Sequence, residues 1–123
     1  VEHINAMNEE EHRSAKEGLD EETLAIYDLL RKDDLTKDEE AEVKKVAIKT
    51  LFKLKAEKLR VERWRESTQI TAQVKTMIHD NLLWLPEKIY LDDEVETKAV
   101  DVYQHIYTNY YGGGASIYNT YVA

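Results

Sequence analysis

Ten of the chain's seventeen basic residues lie between Val43 and Lys75, against three acidic ones, a local balance of +7. Upstream, residues 1–42 hold five basic and fifteen acidic side chains, and downstream, residues 76–123 hold two and seven. The net charge of −8 is therefore an average over a strongly dipolar chain. A uniformly acidic protein repels nucleic acid, but a clustered basic face attracts phosphate locally. Lys45, Lys49 and Lys53 recur every fourth residue, the spacing of one helical stripe. Arg60, Arg63 and Arg65 follow, with Trp64 among them. Arginine offers phosphate oxygens a planar fork, and an exposed tryptophan beside it can stack. These six cations are the candidate contacts to a nucleic-acid backbone, acting on phosphates rather than reading bases. The plainer role of such a stripe is to solubilise a helix face and to pair with nearby acids.

Other chemistry finds little footing. Glu42-Val43-Lys44, with Asp33 and Asp34 upstream, has the form of a metal-dependent nuclease signature. Such a site converges its acids on one Mg²⁺, most often from neighbouring strands. Here the triplet falls inside a helical pattern, with Val43 facing the core and the two charges flanking it. His3, His12, His79 and His105 show no metal-ligand spacing, and His79 and His105 are expected on polar helix faces. The glycine cluster Gly112 to Gly114 has no lysine after it, so it is no phosphate-cradling loop. No serine or lysine has a convincing base partner. The chain thus presents no catalytic residue and no metal site, and it is not an enzyme on its chemistry alone. The absence of cysteine excludes disulfides and thiolate catalysis, and it fits a reducing compartment.

The elements that position these residues are helical. Four glycines and one proline in 123 residues leave few turns. Residues 1–18 are highly charged and read as a flexible arm or linker, or as a short helix ending at Gly18. Asp20 can cap a first helix carrying Leu24, Ile26, Tyr27, Leu29 and Leu30, with Glu21 and Glu22 in the turn where the helix dipole favours acids. Thr36-Lys37-Asp38-Glu39 is a capping-box pattern for a second helix reaching the high 50s. Val43, Val46, Ala47, Thr50, Leu51 and Leu54 form its apolar face. Leu59 to Glu66 either extends that helix or forms an irregular connector. Leu59, Val61 and Trp64 are expected to point inward.

Ser67 or Thr68 caps a third helix, with Ile70, Val74, Met77, Ile78, Leu82 and Leu85 as its stripe. Pro86 ends it. Trp84 is expected to be partly buried. Asp92 or Asp93 begins a fourth helix, and Gly112 to Gly114 are expected to stop it as a left-handed cap. Residues 19–111 are therefore one helical domain, and residues 112–123 are an aromatic tail apolar enough to dock. The fold class is all-α, an irregular helical bundle of about four main helices. No apolar run approaches the ~20 residues of a membrane span. The first residues carry no signal-peptide pattern, and the start at Val1 is expected of a piece of a longer protein.

Ile48 and Phe52 fall outside the apolar arc of the second helix. They either let it pack on two sides or serve a partner. The tyrosine-rich end, with Tyr107 and Tyr111, serves either as core or as interface, where tyrosine is enriched. Ile48, Phe52, Tyr107 and Tyr111 are the candidate partner-binding residues.

An ordered series of segments resembles the C-terminal region of the R (motor) subunits of type I restriction enzymes. The segments are LDEETLAIYDLL at 19–30, LTKDEE at 35–40, VKKVA at 43–47, LRVERWRE at 59–66, VKTMI at 74–78, LPE at 85–87 and VYQHIY at 102–107. They cover nearly all of residues 19–111. One departure is Thr71, where members of the family are expected to carry arginine. The resemblance implies a helical module that follows a nuclease domain and two helicase-like ATPase domains. It implies a cytoplasmic complex, with the methyltransferase and specificity subunits as partners and DNA nearby. ATP and Mg²⁺ would belong to the parent endonuclease, and this piece would hold no cofactor and have no activity alone.

Overall fold

The computed structural model describes residues 17–119. Its four long helices are α1 (Glu21–Leu30), α2 (Lys37–Glu57), α3 (Thr68–Leu82) and α4 (Asp92–Asn109). The all-α expectation holds, with one addition: a small hairpin of β1 (Tyr110–Gly112) and β2 (Ala115–Ser116) follows α4. α1 and α3 both pack on α2, and α4 closes the bundle against both α1 and α3.

The helix starts follow from local chemistry. Asp20 accepts from the Thr23 amide at 2.8 Å, which satisfies one of the free donors of the first turn of α1. Thr36 and Glu39 form the reciprocal capping box of α2, at 3.1 and 2.9 Å. Ser67 caps α3 by accepting from Ile70 at 3.1 Å. α4 starts differently: Leu91 has no side-chain acceptor, and its own amide donates to Glu94 at 3.1 Å.

The six inward residues read for α2 are all buried. They meet Ile26, Tyr27 and Leu30 from α1, Val74, Ile78 and Leu82 from α3, and Val102 and Ile106 from α4 in one core. Trp64 lies fully inside that core, with no exposed surface. Its position comes from the irregular connector. Residues 58–63 turn, Arg63 takes the left-handed conformation at φ 56°, and Trp64–Glu66 form one 3₁₀ turn. The connector is therefore not an extension of α2.

Three expectations are corrected. Trp84 is not partly buried but 73 % exposed. In Leu82-Leu83-Trp84-Leu85 only the first and last face the core, the i, i+3 relation of one helical face. The glycines do not cap α4. That helix ends at Asn109 with Tyr110 already extended; the three glycines, all at positive φ, instead serve the hairpin, Gly112 as the last residue of β1 and Gly113 and Gly114 as its turn. His105 does not lie on a freely solvated face. It is half-buried in the angle between α4 and the hairpin, with its ring 6.5 Å from that of Tyr110.

The docking expected of the tail holds for its described part, where Ser116 is buried and Tyr118 packs on the core. Gly18 takes φ 74° and Glu17 pairs with Lys44, while residues 1–16 of the proposed arm lie outside the described residues.

Candidate interaction surface on helix α2

α2 has two faces with different fates. Its inner face is the core stripe described above. Its outer face carries Ala41, Lys45, Ile48, Phe52 and Ala56, spaced four, three, four and four residues apart. All five are exposed, Ile48 at 49 % and Phe52 at 73 %. A four-three spacing is the seam of a helix that packs along another helix, since it keeps one narrow stripe in line over several turns. Within the described bundle no helix covers this second seam.

The lysines divide around that ridge. On one flank, Lys44 pairs with Glu17 at 2.8 Å, and Lys55 pairs with Glu22 at 2.9 Å. The bond to Glu17 is the first cause that lifts the Lys44 pKa above the usual lysine value. Glu22 also accepts from the Tyr110 hydroxyl at 2.9 Å. Burial, then the charge of Glu22, pushes that phenol upward. This flank is electrostatically satisfied.

On the other flank lie Lys49 and Lys53, with Lys45 in the seam itself. Among the described residues no carboxylate pairs with any of the three. The Lys49 ammonium sits 5.7 Å from the centre of the Trp84 ring, a cation–π distance. Trp84 thus extends the exposed apolar surface from α2 towards the end of α3.

The ridge stands between two furrows. A cleft of about 450 Å³ runs between α1 and α2 along Ile48, Leu51 and Phe52. A cleft of about 280 Å³ is lined by Lys45, Val46, Lys49 and Trp84 on the opposite side. A third, of about 560 Å³, continues along α3 from Lys53 to Gln73 and Asp80. Lys58 closes its end by donating to Gln73 at 2.7 Å.

The arginines part company. Arg60 and Arg63 are exposed on the connector. Arg65 is structural: its guanidinium donates to the Tyr107 carbonyl at 3.0 Å and lies 5.6 and 5.3 Å from the rings of Tyr107 and Tyr111. Tyr107 in turn meets Trp64 edge-on at 5.9 Å. The structure thus brings Lys45, Lys49 and Lys53 together with Ile48 and Phe52. It gathers Tyr107, Tyr111 and Arg65 into a separate cluster beside the hairpin. The sequence counts Arg65 with Arg60 and Arg63 as a phosphate contact, because nothing in LRVERWRE marks which arginine lies against the tyrosines.

The nuclease-like triplet does not assemble. Lys44 is taken by Glu17 and lies 5.7 Å from the Tyr27 ring, while Glu42 faces the cleft of Lys45 and Trp84. Among the described residues no group of three His, Cys, Asp or Glu could hold a metal ion. None of the described helices is long and apolar enough to cross a membrane.

Fold and surface together define an all-α domain with a built core and, on α2, a mixed apolar and basic helix face that no described element covers. The chain matches no family model, no curated protein and no solved structure.

Proposed function

We propose that the chain is the C-terminal assembly module of a type I restriction endonuclease motor subunit. It docks the motor to the methyltransferase and specificity subunits and contacts double-stranded DNA without sequence preference. The observation that carries this is the outer face of α2, where Ile48 and Phe52 stand exposed beside three lysines that no carboxylate pairs among the described residues. An apolar ridge of this kind suits a protein partner, and unpaired cations suit phosphate or carboxylate. The ordered resemblance over residues 19–111 supplies the identity of the partners. On this reading the module is not itself an enzyme and needs no cofactor. ATP, Mg²⁺ and DNA cleavage belong to the parent subunit, in the cytoplasm. The DNA contacts are Lys45, Lys49 and Lys53 together with the exposed Arg60 and Arg63.

Two titrations test it. The domain is immobilised and the reconstituted methyltransferase–specificity complex is passed over it, with wild type and Phe52→Ala compared. A labelled duplex is then titrated by anisotropy at low and raised salt. Capture that needs Phe52, with DNA affinity that falls steeply with salt, supports both halves. Absence of capture removes the docking half, and absence of DNA binding at low salt removes the DNA half.

A second reading, a protein-interaction domain with no DNA contact, is favoured by one observation. Arg65, one of six candidate cations, already donates to the Tyr107 carbonyl and lies over the Tyr107 and Tyr111 rings. Capture without DNA binding would select it.

A further inference from the structure

We infer that the outer face of α2 is the seat for a single amphipathic helix of another polypeptide, one whose apolar stripe is flanked by carboxylates. This rests on the docking half of the proposed function and names the chemistry of what docks; it takes Lys45, Lys49 and Lys53 for the docked helix and leaves the DNA contacts of that function to the exposed Arg60 and Arg63.

Three observations converge. The first is the seam. Ala41, Lys45, Ile48, Phe52 and Ala56 repeat at the spacing that meshes with a second helix, and clefts of about 450 and 280 Å³ flank the ridge. Knobs from a partner helix need such hollows on both sides of a ridge. The second is the charge. Lys45, Lys49 and Lys53 have no carboxylate partner among the described residues, whereas the opposite flank is neutralised by Glu17 and Glu22. The unpaired flank is about 12 Å long at a rise of 1.5 Å per residue. Acids four residues apart on a partner helix would meet these lysines one for one. The third is Trp84, 73 % exposed and held beside Lys49, which gives the seat an aromatic wall.

Charge decides between occupants. A second copy laid along the same face would set lysine against lysine, the repulsive arrangement for flanking positions. A DNA backbone would satisfy the lysines but offer nothing to Phe52, Ile48 and Trp84, which stay exposed unless an apolar surface covers them. An acidic amphipathic helix satisfies both sets. Lys45 adds a register mark. It lies within the seam between Ala41 and Ile48, so the partner must place a carboxylate opposite it, as a lone charged residue at a seam position fixes alignment in paired helices.

The experiment uses the domain and two synthetic helical peptides as long as α2. Both carry a leucine seam at four-three spacing. One is flanked by glutamates with one glutamate in the seam, the other by lysines at the same positions. Binding is followed by calorimetry and located from amide shifts in the domain. The expected result is that the glutamate peptide alone binds, shifts residues of the α2 outer face and Trp84, and weakens about tenfold in Phe52→Ala and in the triple variant K45E/K49E/K53E. The inference is overturned by no binding of the glutamate peptide or equal binding of the lysine peptide. Shifts confined to another surface, or a domain that sediments as a dimer through Phe52, also overturn it. A duplex that shifts this face while the glutamate peptide does not would assign the face to phosphate, again overturning it. Peptide binding with no capture of the methyltransferase–specificity complex would leave the helix seat standing and remove the family identity, so the two failures are distinct.

Discussion

The indole N–H of Trp64 donates to the backbone carbonyl of Tyr110 at 3.1 Å, inside the core. This bond ties the connector after α2 to the hairpin after α4. Trp64→Phe keeps an aromatic ring but leaves a buried carbonyl without a donor. It should lower stability by about 2 kcal/mol, read from the midpoint of urea unfolding at unchanged slope. A loss below about 0.5 kcal/mol would mean that the bond contributes little beyond the ring's burial.

Gly112 and Gly114 should respond differently to alanine. A Cβ on Gly112, at φ 103°, would stand 2.8 Å from the Arg63 amide nitrogen and 3.1 Å from the Val61 carbonyl oxygen. Neither backbone atom can yield cheaply, so Gly112→Ala should destabilise by at least about 2 kcal/mol. Gly114, at φ 82°, has nothing within 4 Å of such a Cβ. Gly114→Ala should cost only the left-handed backbone, about 1 kcal/mol. Paired denaturation curves distinguish the two, and equal losses would contradict the close approach at Gly112.

His105 makes stability depend on pH. Burial holds its pKa below the usual histidine value, and its Nε2 is buried with no hydrogen-bond partner. The neutral ring therefore fits the fold better than the charged one. The sign follows from linkage: the stability tied to the neutral ring is complete above the unfolded pKa, about 6.5, and is lost as pH falls through the lower folded value. Thermal midpoints from pH 7.5 to 5 should decline, and His105→Gln should flatten that decline. An unchanged slope in the variant would place the proton-linked loss elsewhere.

Arginine and lysine changes should separate stability from binding. Arg65→Ala removes a hydrogen bond and two ring contacts, and should cost about 1–2 kcal/mol while leaving surface charge elsewhere intact. K45E/K49E/K53E changes three side chains with no described ion pair, so stability should move by less than about 0.5 kcal/mol. Its effect belongs to partner or DNA affinity. If Arg65→Ala left the unfolding midpoint unchanged, its place between Tyr107 and Tyr111 would carry no energy.

The two tryptophans should be distinguishable by light. Trp84 is 73 % exposed and Trp64 is sealed. Acrylamide should quench roughly the Trp84 share of the emission, and Trp84→Phe should leave a blue-shifted, quencher-resistant spectrum. Efficient quenching in that variant would show that the core opens around Trp64.

Helices and core were readable because period and caps agree. Asp20, Thr36 and Ser67 cap as their types suggest, and the inward stripe of α2 is buried in full. What escaped reading depends on contacts distant in sequence. Nothing local says that Arg65 reaches Tyr107, forty-two residues on, or that Glu22 meets both Lys55 and Tyr110. The hairpin was missed because three glycines after a helix resemble a cap, and only pairing with the tail reveals a turn. Trp84 was legible in hindsight: four successive apolar residues cannot all face one core from a helical turn. The candidate surface was half legible. Ile48 and Phe52 stood out from the arc, but the pairing of Lys44 and Lys55, which leaves the charge one-sided, needed the fold.

The hairpin does more than finish the chain. The amides of Gly113 and Gly114 donate to the carbonyls of Val61 and Leu59, both at 3.2 Å. The connector's backbone is thus completed by residues made some fifty positions later. On a ribosome, α1 and α2 can pair as soon as both have emerged, while the bend that seats Trp64 must wait for the last glycine. Order of synthesis and order of closure therefore differ at the mid-chain bend, whose backbone partners are made long after it.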